Sequence, residues 1–261
     1  MATLHFLGTC SGTEPFPDMH HQSWILTVNG INYWFDAGEN CAHRAYTSGI
    51  DVMNTAAIFV SHPHIDHIGG LANLLTCFHK LIRMHKKQFI RDNTLEIYFP
   101  DLPLLQYIKE IAYSGRGVKL RYTLNEHPIQ DGLLFEDENI RVTTIHNRHM
   151  KEDGSEGWHA FSFLLEAEEK KIVFSGDVLS PEELLPLIGT GCDLLIMETG
   201  HHDVASVMDF AVAHNVKNLR LTHHGRQIIE NRAFYEEMAL SHSRSQNIDI
   251  RLCYDGMMET L

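Results

Sequence analysis

The sequence predicts an α/β protein with helices on the outer faces of packed sheets, organised as a single domain over residues 1–261. Three observations carry that expectation. The N-terminal region reads as antiparallel β structure around Asn29-Gly30. The C-terminal third alternates strand and helix. No internal repeat, low-complexity tract or linker separates the two.

Residues 2–7 alternate in the manner of a strand and end at Gly8. Gly8–Asp18 mixes glycine, proline and small polar residues, which makes a loop. Ser23–Val28 and Ile31–Asp36 flank Asn29-Gly30, a strong hairpin signal because a type I′ turn needs positive φ at both central positions. A helix is expected over Asn40–Thr47, a strand over Ala56–Val60, and a second helix from Leu71 to Ile82. That second helix carries apolar residues at Leu71, Leu74, Leu75, Phe78, Leu81 and Ile82, near the 3.6-residue period. Leu95–Phe99 reads as a strand. Pro103–Tyr113 reads as a helix with proline in its first turn, stopped by Gly115 and Gly117. Strands follow at Val118–Thr123, around Leu133–Phe135 and at Ile140–Ile145, then a hairpin from Phe161–Leu165 and Lys171–Phe174. The remainder alternates: helix Pro181–Leu187, strand Asp193–Met197, helix Val204–His214, strand Leu219–Thr222, helix Gln227–Leu240 and strand Ile248–Cys253.

Composition narrows the function. The apolar fraction of 44% is enough for a sizeable core. A formal charge of −13, from 21 Lys+Arg against 34 Asp+Glu, disfavours broad non-specific binding of nucleic acid. Cys10, Cys41, Cys77, Cys192 and Cys253 are odd in number and form no CxxC pair, which fits a reducing compartment. The first residues show neither a basic n-region nor a long apolar core, and no apolar run approaches the ~20 residues of a membrane span. A cytoplasmic protein without membrane partners is expected.

The densest chemistry lies in Ser61-His62-Pro63-His64-Ile65-Asp66-His67-Ile68-Gly69-Gly70, between a strand and a helix. Imidazole and carboxylate side chains packed at such a turn are metal ligands. Alternate side chains pointing one way would let His62 and His64 share one ion, while Asp66 and His67 face a second. The donor set suits zinc, with manganese or iron as alternatives.

This motif, HxHxDH, resembles the signature of the metallo-β-lactamase superfamily, and its surroundings resemble the ribonuclease Z branch. The likeness includes Phe6-Leu7-Gly8-Thr9, Ser11-Gly12-Thr13, Trp34-Phe35-Asp36-Ala37-Gly38-Glu39, Ile58-Phe59-Val60-Ser61-His62 and Tyr254-Asp255-Gly256-Met257. The resemblance implies a four-layer αβ/βα sandwich of two mixed sheets and a dinuclear metal-dependent hydrolase. It implies His149 as the third histidine of the first metal, with His146 as the alternative, Asp177 as the carboxylate shared by both ions, and His223 as the last ligand. It also implies His201 as proton donor, with His202 as a rival, and Glu198 as the acidic partner that orients it. Asp66 would bind metal and hold the attacking hydroxide.

Ribonuclease Z relatives that grip tRNA carry a long arm between the third histidine and the shared aspartate. Here His149 and Asp177 are only 28 positions apart, the stretch filled by a polar loop (Lys151–Gly157) and the hairpin. The expected substrate is therefore a small or modest phosphodiester, or RNA. Hydrolysis of a carboxylic ester, lactone or thioester is the enzymatic alternative, and a non-catalytic metal-bound sensor is the other. The strand after the third histidine also departs from the family pattern, as His159-Ala160-Phe161-Ser162-Phe163. Asp18, His20 and His21 are candidates for substrate contact from the N-terminal loop, and Arg226 for a phosphate contact. The family often forms dimers, so a homodimer is allowed.

Overall fold

The computed structural model describes residues 1–86, 89, 91–113, 120–150 and 158–261. The predicted helix stop at Gly115 and Gly117, the first two residues of the Val118–Thr123 strand and the Lys151–Gly157 loop fall outside them.

Strands β1 (Ala2–Gly8), β2 (Ser23–Val28), β3 (Ile31–Phe35), β4 (Thr55–Phe59), β5 (Thr94–Phe99) and β6 (Thr123–Pro128) lie side by side in that order. The first three pair antiparallel, and β3 through β6 run parallel. The second sheet orders β7 (Gly132–Glu136), β8 (Arg141–His146), β9 (Phe161–Ala167), β10 (Lys170–Phe174), β11 (Leu194–Thr199), β12 (Asn218–His224) and β13 (Asp249–Leu252). It repeats the scheme: antiparallel from β7 to β10, parallel from β10 to β13. A last strand, β14 (Met258–Thr260), returns to pair antiparallel with β1. It escapes sequence patterning because three residues are too few to display alternation.

Helices α1 (Cys41–Thr47), α3 (Leu71–His85) and α4 (Leu102–Ala112) cover the outer face of the first sheet. Helices α6 (Val204–Ala213) and α8 (Arg232–Gln246) cover that of the second, with the short α5 (Leu185–Ile188) and α7 (Arg226–Glu230) beside them. The remaining helix, α2 (Ile65–Ile68), is a single turn inside the histidine motif. Central strands are covered on both faces, so β4 and β11 are buried at every residue and read as continuous apolar runs. Between the sheets, Trp24 stacks on Phe35 at 4.3 Å and Phe35 on Phe59 at 5.1 Å, with Phe163 and Phe174 meeting Phe35 edge-on from the other side. The expected αβ/βα sandwich is the observed one.

Three elements differ from expectation. The sixth strand begins where the predicted one ends, because β6 is a sheet edge whose polar side chains reach solvent and whose last residue, Pro128, needs no ladder partner. The predicted Gln227–Leu240 helix is two helices. Asn231 leaves the helical region at φ −121° and donates from its side-chain amide back to the Gln227 carbonyl at 2.9 Å, which ends α7 and starts α8. Residues Pro181–Leu184 form a 3-10 turn before α5 rather than one continuous helix. No helix among the described residues is long and apolar enough to cross a membrane.

Candidate metal centre

The sequence-predicted ligands converge at one end of the sandwich, each delivered by the end of a strand. His62 follows β4, and Asp66 and His67 ride on α2 immediately after. His149 follows β8, Asp177 follows β10, and His223 is the second-last residue of β12.

Two backbone irregularities aim these side chains. Between β11 and β12 the register shifts so that Glu198 faces Thr222 and Thr199 faces His224, leaving His223 as the extra residue. Its φ of 55° is the left-handed conformation of such a bulge, which turns the ring inward. Gly176 takes φ 56°, and a Cβ there would meet the Phe161 carbonyl at 2.7 Å. Only glycine lets the chain bend closely enough to present Asp177.

The donor atoms form two adjoining groups. In the first, His64 Nδ1 lies 3.0 Å from His62 Nε2 and 3.2 Å from His149 Nε2. Asp177 Oδ2 faces this group, 3.7 Å from His62 and 3.6 Å from His149. In the second, His223 Nε2 lies 3.1 Å from His67 Nε2 and 3.2 Å from Asp66 Oδ2. The other oxygen of Asp177, Oδ1, stands 3.4 Å from His67 Nε2. Ligands about 2.0–2.1 Å from a tetrahedral ion sit about 3.3 Å from one another, which these separations match. Asp177 Oδ1 is buried without a hydrogen-bond partner, as a metal-directed oxygen would be. The residues present fit metal binding, and Asp177 faces both groups.

Supporting contacts set the imidazole tautomers. Asp36, fully buried, accepts from His67 Nδ1 at 2.8 Å and from the Ser61 amide at 2.7 Å and hydroxyl at 3.0 Å. With its proton on Nδ1, the neutral form of His67 would offer the Nε2 lone pair to the cluster. Asp66 is held from outside by the Gly12 amide, which donates to Oδ2 at 2.7 Å from the N-terminal loop. The Phe161 amide donates to the Ser61 carbonyl at 3.0 Å and ties the second sheet to the histidine motif.

Electrostatics follow from the packing. Burial lowers the His62 pKa well below that of free imidazole, and its histidine neighbours lower it further. Burial likewise pushes His149 down to about 4 against the opposing pull of Asp177. For His67, burial is outweighed by Asp177 and Asp36, which raise it well above the ordinary value. Burial of His223 is outweighed by Asp177, Asp66 and Glu198, which raise it to about 9. Asp66 is lowered: burial opposes ionisation, but the His223 hydrogen bond and His67 prevail. The two histidines with lowered pKa, His62 and His149, thus lie in the first group, and the second pairs imidazole with carboxylate.

The two histidines after β11 separate cleanly. His201 Nδ1 bonds Glu198 Oε1 at 3.0 Å, and the His201 amide bonds Oε2 at 3.0 Å. Its ring lies 4.9 Å from that of His149 and remains 45% exposed, so Nε2 is free to work. His202 instead turns Nε2 to the Val178 carbonyl at 3.1 Å and to Glu198 at 3.2 Å, spending it on the fold. The Glu198 hydrogen bond raises the His201 pKa. Burial opposes ionisation of Glu198, but its bonds from His201 and His202 hold it well below the usual carboxylate range. Gly200 keeps this turn close to the ligands, since a Cβ there would lie 2.9 Å from His223 Nδ1.

Other candidates lie elsewhere. His146 pairs with Asp131 at 2.7 Å and stacks on Trp158 at 4.0 Å, away from the cluster that His149 joins. His20 is fixed by Asp255 at 2.9 Å and by Asn40 at 2.8 Å, so both ring nitrogens serve the loop. His21 is half-buried within electrostatic reach of Asp66, His67 and His223, whereas Asp18 is exposed. Arg226, the expected phosphate contact, is engaged by Glu14 and Glu230 and lies over the Phe16 ring. His224 is buried beneath the site, bonded to Thr199 and to the Cys253 carbonyl. Asp36 and the Gly12 amide were not singled out from sequence. The one available signal was a charged residue closing the apolar β3 run.

Two seven-stranded mixed sheets with a His-x-His-x-Asp-His turn at their strand ends define a protein of the metallo-β-lactamase fold whose clustered histidines and aspartates could hold metal. The fold superposes on the metallo-β-lactamase fold protein YhfI from Bacillus subtilis with a TM-score of 0.72 at 15% identity, covering 99% of this chain and 98% of that one. For the short form of human tRNase Z the TM-score is 0.69 at 22% identity, with 99% and 98% covered. The ribonuclease Z of Listeria monocytogenes serotype 4b is 28% identical over 185 residues, which are 69% of this chain and 54% of that protein. The chain thus spans about half the length of the curated relatives it matches. Residues 2–231 match the family described as Anti-Pycsar protein Apyc1, and the chain belongs to that family.

Proposed function

We propose that this chain is a dinuclear metal-dependent phosphodiesterase acting on a small or modest phosphodiester or on RNA, with His201 as the proton donor. The observation that carries the proposal is the His201–Glu198 pair beside two adjoining donor groups. Two divalent ions, zinc first with manganese or iron as alternatives, would be held by His62, His64, His149 and Asp177 and by Asp66, His67, His223 and Asp177, supplying charge neutralisation for the phosphoryl oxygens and a water of lowered pKa.

The chain's own groups supply the rest. Glu198 fixes the His201 proton on Nδ1, so Nε2 is the atom that gains and gives the catalytic proton. As the P–O bond to the leaving oxygen breaks, its electron pair stays on that oxygen, which takes the proton from His201 Nε2. The imidazole is left neutral and still bonded to Glu198. Such proton transfer contributes about 10²–10⁴-fold, and an unactivated sugar alkoxide needs it far more than an activated phenolate does. Asp66, held by Gly12 and His223, keeps its carboxylate ionised and oriented toward the attack side. The relatives named ribonuclease Z and tRNase Z support a phosphodiester substrate, and the short span of 28 positions from His149 to Asp177 supports a small one.

The test is a substrate panel with metal-loaded protein. Turnover of bis-p-nitrophenyl phosphate and of cyclic nucleotides is expected. Turnover confined to lactones or thioesters would overturn the phosphodiesterase assignment, and fewer than two ions per chain would overturn the dinuclear one.

A further inference from the structure

The connection from Thr9 to Gln22 joins the paired strands β1 and β2, and a loop of that length stays loose unless something closes its base. Asp255, in the turn between β13 and β14, closes it. Its side chain is only 4% exposed, and its two oxygens are divided between the two limbs of the loop. Oδ1 accepts from the Thr9 amide at 2.9 Å and from the Thr9 hydroxyl at 2.8 Å. Oδ2 accepts from the His20 amide at 2.7 Å and from His20 Nδ1 at 2.9 Å. All four bonds run to a carboxylate, which makes them the stronger kind. The turn is itself fastened to β1: the Gly256 amide donates to the Phe6 carbonyl at 2.7 Å, and the Phe6 amide to the Met257 carbonyl at 2.9 Å.

The limb held by this clamp reaches the second donor group. The His224 amide donates to the Thr9 carbonyl at 2.7 Å, and the Ser11 amide to the His224 carbonyl at 3.1 Å. The limb therefore runs beside the bulge that turns His223 inward. One residue further, the Gly12 amide donates to Asp66 Oδ2 at 2.7 Å, the oxygen that faces His223 Nε2 at 3.2 Å. Asp66 and His223 thus lean on the same short stretch, Thr9–Gly12. Among the described residues, no hydrogen bond joins that stretch to His62, His64 or His149.

Building on the dinuclear reading, we propose that Asp255 is a positioning residue for the second donor group. It touches none of the ligands. By tying Thr9 to His20 it holds the Gly12 amide on Asp66 and the Thr9–Ser11 limb against the His223 bulge. The stretch Tyr254-Asp255-Gly256-Met257 thereby gains a task in the site. A carboxylate is what the position needs, because both oxygens face donors. An asparagine would turn its NH₂ group toward either the Thr9 amide or the His20 amide, and neither can accept. One limb of the loop would then come free.

The experiment uses the full chain with Asp255→Asn, and Thr9→Val as a milder variant that loses only the hydroxyl bond and carries the same comparison if the first does not fold. In the metal-free protein, hydrogen exchange of the Gly12 amide followed by NMR should quicken about tenfold in Asp255→Asn and several-fold in Thr9→Val, while the amides of β4 keep their rates. Zinc titration should show one of the two ions weakened about tenfold in Asp255→Asn and the other bound as in the wild type. Asp131→Asn, which breaks the His146 pair away from the cluster, should change neither readout. If the wild type binds two ions and the folded variants leave Gly12 exchange unchanged, or weaken both ions equally, the positioning role is refuted alone. If the wild type binds fewer than two ions, the dinuclear reading falls and takes the positioning role with it.

Discussion

Replacing Asp36 with asparagine isolates what a buried carboxylate does for a metal ligand it never shares an ion with. Asp36 accepts three hydrogen bonds, from the Ser61 amide, the Ser61 hydroxyl and His67 Nδ1. Asparagine has one oxygen in place of two. If that oxygen keeps the Ser61 amide, the new NH₂ group faces His67 Nδ1 and forces it to accept. The proton then moves to Nε2, the atom that must be bare to bind metal. The second donor group should lose about 10–100-fold in metal affinity, or about 1.4–2.7 kcal/mol. The first group meets Asp36 only through the Ser61 hydroxyl beside His62 Nδ1 and should be weakened less. Zinc titration monitored by competition with a chelating dye, with bound metal counted by mass spectrometry, should show two tight ions per wild-type chain. Asp36→Asn should keep one tight ion and one weakened. Two sites of unchanged affinity in the variant, or equal weakening of both, would refute the link between Asp36 and His67.

Three further outcomes are expected. His201→Ala should lower kcat on an unactivated phosphodiester by about 10²–10⁴-fold but on bis-p-nitrophenyl phosphate much less, while His202→Ala, which loses a bond to Val178, should act on stability more than on that contrast. Phe163→Ala, in the aromatic core between the sheets, should cost about 3–5 kcal/mol of unfolding free energy by urea titration. Burial depresses His224 to about 3, below the ordinary imidazole value, so between those two values the unfolded chain binds the extra proton. Stability of the metal-free protein should therefore be intact above about pH 6.5 and be lost as pH falls below it; His224→Gln should flatten that slope in urea melts at pH 5 and pH 7.

Much of the site was legible in the chain because ligands cluster where strands end. His62, His64, Asp66 and His67 are nearly contiguous, and Gly176-Asp177 closes an apolar run, so the pattern survives without coordinates. What could not be read depends on where distant segments meet. Nothing local says that the Gly12 amide caps Asp66, that Glu14 neutralises Arg226, or that Asp131 draws His146 aside. Likewise His201 and His202 are adjacent and alike in sequence; the Val178 carbonyl is what distinguishes them. The fold followed the same logic. Buried central strands announced themselves by composition, whereas β6 and β14 lie at the sheet edge, where polar residues and short length erase the signal.

The donors come from both sheets: His62, Asp66 and His67 from the first, His149, Asp177 and His223 from the second. An ion bound among them would act as a rivet between the two halves of the sandwich. His67 and His223 stand 156 positions apart in the chain, so closing that pair in an unfolded polypeptide would carry a large entropic penalty that the folded protein has already met. Metal occupancy and sheet-to-sheet registry are then one equilibrium seen from two sides. Whatever slides one sheet against the other loosens the ions, and whatever strips the ions frees the sheets to slide.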